Sequence, residues 1–237
     1  MCGRFGLTKE ASRELAYLMG VDEADLSFHR PRYNIAPTQD HFVLTSQYER
    51  RKVLPARWGL VNRDAKDNSR AAQRINAMAE TAASKPTFRE AFQQRRCIVP
   101  ADGFYEWRGP KQARTPVWFH PRDGGLIFFA GLYEQWHPQA GPPETTFTIL
   151  TCAPNAVTRP IHNRMPVILP DAKAQEDWMN PREENPLALR RLLIPAPDDF
   201  LRMQPASSLV NSVKNEGPEL LLPDSRGITL DLFPTRE

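Results

Sequence analysis

Proline is spread along the whole of this chain, 23 residues in 237. A residue that fixes φ and lacks an amide proton breaks helix interiors and central strands, so such spacing marks turns and edge strands rather than one flexible linker. Between the prolines and glycines lie short runs rich in β-branched and aromatic residues. They predict strands over 41–46, 52–60, 97–100, 104–108, 117–120, 126–134 and 146–151, after a short opening strand. Helical patterns are fewer. One is expected over 9–19, with Thr8 as N-cap and Gly20 as its stop, and others over 71–83, 86–95 and 172–179, where Pro86 suits a first turn. The segment 136–144 reads as an exposed loop between two strands, and the last residues are expected to fray.

No alternating βαβ rhythm is present, so the expected class is α+β, with a dominant antiparallel sheet that is barrel-like in closure and has helices at its flanks. With 41 % apolar residues the chain can bury a sizeable core. We find no linker and no repeat, and expect a single domain over 1–237, its core about 2–216 and an extension at 217–237.

Composition excludes several classes of function. No apolar run reaches the 18 or more residues that span a bilayer, and the opening MCGRFGLTKE lacks the layout of a secretory signal. A cytoplasmic protein with reduced thiols and no membrane partner is expected, most simply a monomer. Three cysteines, Cys2, Cys97 and Cys152, form no CxxC and no His/Cys cluster of ligand spacing, which argues against a disulfide framework, a zinc site or any metal. The net charge of +3 selects no partner. Its distribution is uneven: residues 50–114 carry 15 Lys/Arg against 6 Asp/Glu, a net +9, leaving the remainder at −6. That block reads either as a phosphate-facing surface or as a solvated basic face.

Several segments hold residues suited to chemistry. Removal of Met1 would leave Cys2 with an α-amine and a thiol on one residue, with reference pKa values of about 7.7–8.0 and about 8.5, both partly nucleophilic near neutrality. An aldehyde captured by the amine as an imine can be closed by the thiol into a thiazolidine. Gly3 would allow close approach of a bulky partner, and Arg4 offers a cation for phosphate. Taken alone, the same residues fit an incidental thiol near a chain end. In the run from Gly103 to Trp107, strand alternation puts Phe104, Glu106 and Arg108 on one face and Tyr105 and Trp107 on the other. A desolvated Glu106 would suit proton transfer, whereas a surface strand would pair Glu106 with Arg108. His162, on a loop, could hold a sugar oxygen or shuttle a proton, or be structural, and Arg164 beside it could bind phosphate or brace the loop against a carboxylate. On a helix, Asn76 and Glu80 would share one face at i and i+4. Arg32 to Pro37 and Arg57 to Leu60 place aromatics near basic residues, where they could stack on unpaired bases or belong to the core.

The order of the segments carries more than any one of them. Met-Cys-Gly-Arg-Phe opens the chain, followed by Tyr-Asn-Ile-Ala-Pro, Arg-Trp-Gly-Leu, Asn-Ala-x-x-Glu-Thr, Cys-Ile-Val-Pro-Ala-Asp-Gly-Phe-Tyr-Glu-Trp and Ile-His-x-Arg-Met-Pro. The set, spanning about 2–216, resembles the SRAP family, the SOS response-associated peptidase-like proteins, which include abasic-site shielding proteins. The resemblance implies a single α+β domain with a groove for single-stranded DNA at a junction with duplex, and a covalent crosslink between Cys2 and the aldehyde of an abasic site. It implies Cys2 as nucleophile, Asn76 as a holder of the sugar, Glu106 as acid/base and His162 as support for ring opening. Arg4 and Arg164 match phosphate contacts; Asn34, Pro37, Trp58, Arg74 and Trp107 complete the DNA-facing set. No cofactor is implied. Weak lyase activity at abasic sites, self-removal of Met1, a cysteine peptidase and a non-catalytic single-stranded DNA binder are the other activities such a chain could have. One departure is visible: the family commonly carries arginine after Asn-Ala, where this chain has Met78, and Arg74 on the preceding turn is a substitute.

Overall fold

The computed structural model describes residues 2–47 and 50–224, so the expected fraying of the last residues and the state of Met1 lie outside the described part. Its elements in chain order are β1 (Phe5–Leu7), α1 (Ser12–Met19), β2 (Arg32–Ile35), β3 (Asp40–Gln47), β4 (Arg50–Trp58), β5 (Asn76–Met78), α2 (Ala79–Ala82), α3 (Pro86–Gln94), β6 (Arg96–Ala101), β7 (Gly103–Arg108), β8 (Thr115–Pro121), β9 (Ile127–Trp136), β10 (Glu144–Cys152), β11 (Met165–Pro166), α4 (Ala172–Met179), α5 (Pro186–Arg190) and β12 (Leu201–Pro205). Each strand expected from residue type is present, and 136–144 joins β9 to β10 as a loop.

Strands β10, β4, β3, β6 and β9 pair in that order, and β9 returns to β10, closing a five-stranded barrel. All these neighbours are antiparallel except β4 and β10. A second, fully antiparallel sheet runs β12, β8, β7, β1, β2. Aromatic rings join the two. Phe5 meets the edges of Trp58 (5.0 Å) and Phe129 (6.1 Å), and Phe104 meets Phe129 (6.0 Å) and stacks on Phe119 (5.0 Å). The fold is therefore α+β, and the sheets dominate it. Gly103 serves the second sheet by having no side chain: a Cβ there would fall 2.1 Å from the Trp118 ring, which crosses directly over it.

Three expectations fail for identifiable reasons. Thr8 does not cap α1; its amide and hydroxyl both donate to Asp102 Oδ2 (2.6 and 2.8 Å), and the helix starts later, from an uncapped Ala11, before ending on left-handed Gly20 as expected. The helix over 71–83 is replaced by one 3-10 turn, β5 and the short α2, because Asn76 to Met78 pair in parallel with Ile149 to Thr151 of β10. Pairing with a buried strand outweighs the local helical pattern here, and Asn76 and Glu80 are not helix neighbours. Part of the basic block is held within the protein. Arg96 is buried with five backbone carbonyls as acceptors, Arg95 pairs with Glu90 and Glu134, and Arg57 pairs with Asp40. Finally, Trp58 and Asn34 are fully buried and cannot meet DNA in this fold. Trp58 stacks on Phe147 and donates its indole N–H to Ile75 O (2.9 Å).

Asn34 instead ties down the segment after β12. Its Nδ2 donates to the carbonyls of Ser212 (2.9 Å) and Asn215 (2.8 Å), while its Oδ1 accepts from Arg4 (2.8 Å). Asn34→Ala removes these hydrogen bonds and one acceptor of Arg4, a loss of about 1–3 kcal/mol of stability. Urea denaturation checks this, and a midpoint equal to wild type would place Asn34 on the surface.

Candidate active site

The site forms where the start of the chain crosses β7. Phe5 is opposite Phe104, and the Tyr105 amide donates to Arg4 O (2.9 Å), so continued antiparallel register carries Cys2 past Glu106 toward Trp107. Cys2 is fully buried. From the other side β5 supplies Asn76, whose Nδ2 donates to Cys2 O (2.8 Å). The Asn76 Oδ1 is buried and has no hydrogen-bond partner among the described residues, an acceptor whose desolvation costs about 1–3 kcal/mol until a donor arrives.

Glu106 is 4 % exposed, which excludes the surface pair with Arg108. Burial raises its pKa above the ordinary carboxylate range, opposed in part by the Arg114 cation. Cys2 feels the same surroundings: burial, then the charge of Glu106, pushes its thiol pKa far up. Burial thus works against the partly ionised thiol that the reference pKa suggests. His162 is drawn the other way, below the ordinary imidazole range, by burial first and by the Arg114 and Arg164 charges in the same direction. A raised acid and a lowered base suit proton transfer near neutrality.

β11 brings in the second motif, with Met165 opposite Cys152 and Pro166 opposite Thr151. Arg164 forks onto Glu80, Nη1 to Oε1 at 2.6 Å and Nη2 to Oε2 at 2.8 Å, and Nη2 also donates to Thr151 O (2.5 Å). Of the two roles open to it, bracing against a carboxylate is the one observed. Arg4 is likewise a strut, with Nη1 on Asn34 and on Val210 O (3.0 Å) and its guanidinium 5.9 Å from the centre of the Trp107 ring. Trp107 is half-buried and donates its indole N–H to Asn211 Oδ1 (2.7 Å). Arg74 donates to Asn62 Oδ1 (2.7 Å), and Pro37 lies half-buried beside Thr38, a non-glycine residue at φ 68°. Met78 is exposed on the strand that carries Asn76.

The structure thus gathers Cys2, Asn76 and Glu106 directly, with His162 sharing the field of Arg114. Sequence reasoning missed Arg114, which lies in the loop before β8, and the whole 208–216 segment. The second had a weak signal in its paired asparagines, Asn211 and Asn215; the first had none. Cys97 and Cys152 are free and buried, no group of three or more His, Cys, Asp or Glu gathers at metal-ligating distance among the described residues, and no described helix is long and apolar enough to cross a membrane.

Fold and site together define a mixed barrel protein with a buried cysteine near its N-terminus, flanked by an amide and a carboxyl group. The profile of the family described as SOS response associated peptidase (SRAP) matches residues 1–213, and the chain belongs to that family. It is 40 % identical over 225 residues to the abasic site processing protein YoqW of Bacillus subtilis, covering 93 % of this chain and 99 % of that one. It is 30 % identical over 230 residues to the abasic site processing protein YedK of Escherichia coli, covering 94 % and 100 %. A crystal structure of a protein from Bacteroides thetaiotaomicron superposes with a TM-score of 0.81 at 25 % identity, covering 94 % of this chain and 99 % of the other.

Proposed function

We propose that this protein processes abasic sites in single-stranded DNA by forming a covalent thiazolidine through Cys2. The observation that carries the reading is the enclosure of Cys2 by Asn76 and Glu106, since those groups are what capture of a sugar aldehyde requires. The names of the relatives YoqW and YedK point to the same lesion.

With Met1 removed, the Cys2 amine adds to C1′ of the open-chain sugar, giving a carbinolamine. Glu106, protonated more readily than an ordinary carboxyl, donates the proton with which hydroxide leaves as water, and the imine forms. The Cys2 S–H then adds across the C=N bond. Sulfur joins carbon, its proton passes through Glu106 to nitrogen, and the ring closes with a net loss of one water. Because burial disfavours the thiolate, closure needs a base beside Cys2 that takes the thiol proton as sulfur attacks. The buried Asn76 Oδ1 accepts a hydrogen bond from a sugar hydroxyl, and His162 donates to the oxygen released on ring opening. Fixing these groups before the lesion arrives is what makes the capture effectively intramolecular.

The DNA strand would run past Trp107, with Arg164, Arg4, Arg74 and Pro37 at its borders. The experiment is incubation of Met1-processed protein with single-stranded DNA holding one abasic site. A heat-stable adduct on a denaturing gel, formed without borohydride, is expected; its absence refutes the reading. Reversible, salt-sensitive binding that ignores the lesion would instead define a plain single-stranded DNA binder.

Met78 gives a prediction about affinity. It is exposed beside Asn76, where a cation would face the DNA backbone. Met78→Arg is expected to tighten binding at low salt and to steepen the dependence of log K on log salt by about one. Anisotropy titrations over a salt series measure this slope, and an unchanged slope would place residue 78 away from phosphate.

A further inference from the structure

We infer that Glu80 is a positioning residue for His162, acting through Arg164. The inference rests on the proposed capture chemistry for its kinetic consequence, though not for its structural content.

Arg164 joins two elements at once. Its guanidinium is clamped by both Glu80 oxygens at 2.6 and 2.8 Å, from α2. It is also held by the Thr151 carbonyl (2.5 Å) and hydroxyl (3.3 Å), near the end of β10. A bidentate carboxylate fixes the plane of a guanidinium as well as its position. The pair is one-sixth exposed on the arginine side and half exposed on the glutamate side, and the Arg164 hydrogen bond draws the Glu80 pKa below its ordinary range. Glu80 therefore stays ionised through the neutral range.

What this clamp fixes next is the backbone of Arg164. Its amide nitrogen lies 3.0 Å from His162 Nδ1 and donates to it. A peptide N–H carries its proton at every pH of interest, so Nδ1 must be the acceptor. The 3.2 Å approach of Nδ1 to Arg164 O is then a contact without a proton. Neutral His162 is thereby confined to the tautomer with hydrogen on Nε2. The second anchor of the ring is the His162 amide, which donates to Thr158 O (3.0 Å). The groups facing this imidazole include Arg114 and Arg164, whose charges both disfavour its protonated form. Glu80 neutralises one of them. The chain of contacts Glu80, Arg164, His162 thus sets the ring's orientation, its tautomer and the charge beside it. Glu80 touches no reacting atom; it acts by holding the residue that holds the histidine.

The variant is Glu80→Gln, with Glu80→Asp as the second. Because Glu80 is half exposed, both are expected to fold, and a thermal melt checks this. Nitrogen-15 spectra of the histidine rings, with His162 assigned by the signal lost in His162→Ala, report tautomer and titration. Wild type is expected in the Nε2–H form. In Glu80→Gln the tautomers are expected to mix, and the ring titration to move to lower pH as Arg164 loses its counter-charge. Single-turnover capture at saturating DNA is expected to slow roughly 10-fold or more, since small misplacement of a reacting group costs up to about 100-fold. Binding of undamaged single-stranded DNA should change much less, and Glu80→Asp should recover part of the rate. An unchanged tautomer and titration in Glu80→Gln would overturn the inference, and so would a loss confined to DNA affinity, which would make Glu80 a support for phosphate binding alone. If wild type makes no adduct the capture reading fails, while the ring spectra still decide the link between Glu80 and His162.

Discussion

Cys2→Ala in the Met1-processed protein is expected to abolish the heat-stable adduct with abasic single-stranded DNA. The alanine keeps the α-amine, so the imine still forms, but no thiol remains to close the ring and water reverses the imine on denaturation. Borohydride supplies the control, since reduction should trap the imine in the variant and restore a stable band. The comparison separates the two halves of the nucleophile. A heat-stable band of wild-type intensity without borohydride would remove Cys2 from the reaction, and loss of the band even with borohydride would mean that the variant no longer binds the sugar. Retention of Met1 is a third route to the same loss, because a blocked amine cannot begin the sequence, and intact mass identifies that state directly.

Glu106→Gln carries the second large effect, and it joins rate to stability with opposite signs. Proton transfer by a positioned side chain contributes about 10²–10⁴-fold. Single-turnover capture by the glutamine variant should slow by a factor in that range, and release of the adduct should slow with it. Stability should move the other way. Burial raises the Glu106 pKa in the folded protein, so the fold prefers the protonated form. The contribution of this group is fully present below its unfolded pKa and is lost as pH rises through the higher, folded value. Glutamine resembles the protonated acid and has no charge to desolvate. The thermal midpoint of Glu106→Gln should therefore match wild type in acid and exceed it increasingly toward neutral pH. A variant that captures at the wild-type rate would remove Glu106 from the chemistry, and one that melts lower at neutral pH would show its carboxylate to be stabilising.

The strands were legible because their signal is local. Runs such as Cys97 to Pro100 and Thr146 to Thr151 are dense in β-branched residues, and pleated pairing needs little more. Short strands without that enrichment, β5 and β12, were not. Asn76 to Met78 look helical in isolation and become a strand because β10 offers an open edge, which no window of sequence reveals. The same limit applies to charge. Lysines and arginines can be counted along the chain, but Arg96 ends among buried carbonyls and Arg164 on Glu80, 84 residues away in sequence.

The sequence alone carried the element types, the α+β class, the motifs and so the membership of the family, since these depend on residue kind and order. It also named Cys2, Asn76, Glu106 and His162, though only through resemblance to a family. Burial had to come from the folded chain. Desolvation depends on which groups close around an atom, and here it raises the Cys2 thiol pKa and makes Glu106 a weaker acid and His162 a weaker base. The same contacts buried Asn34 and Trp58 and gave Arg4 and Arg164 partners inside the protein, because a polar side chain shut away from water must satisfy its hydrogen bonds there.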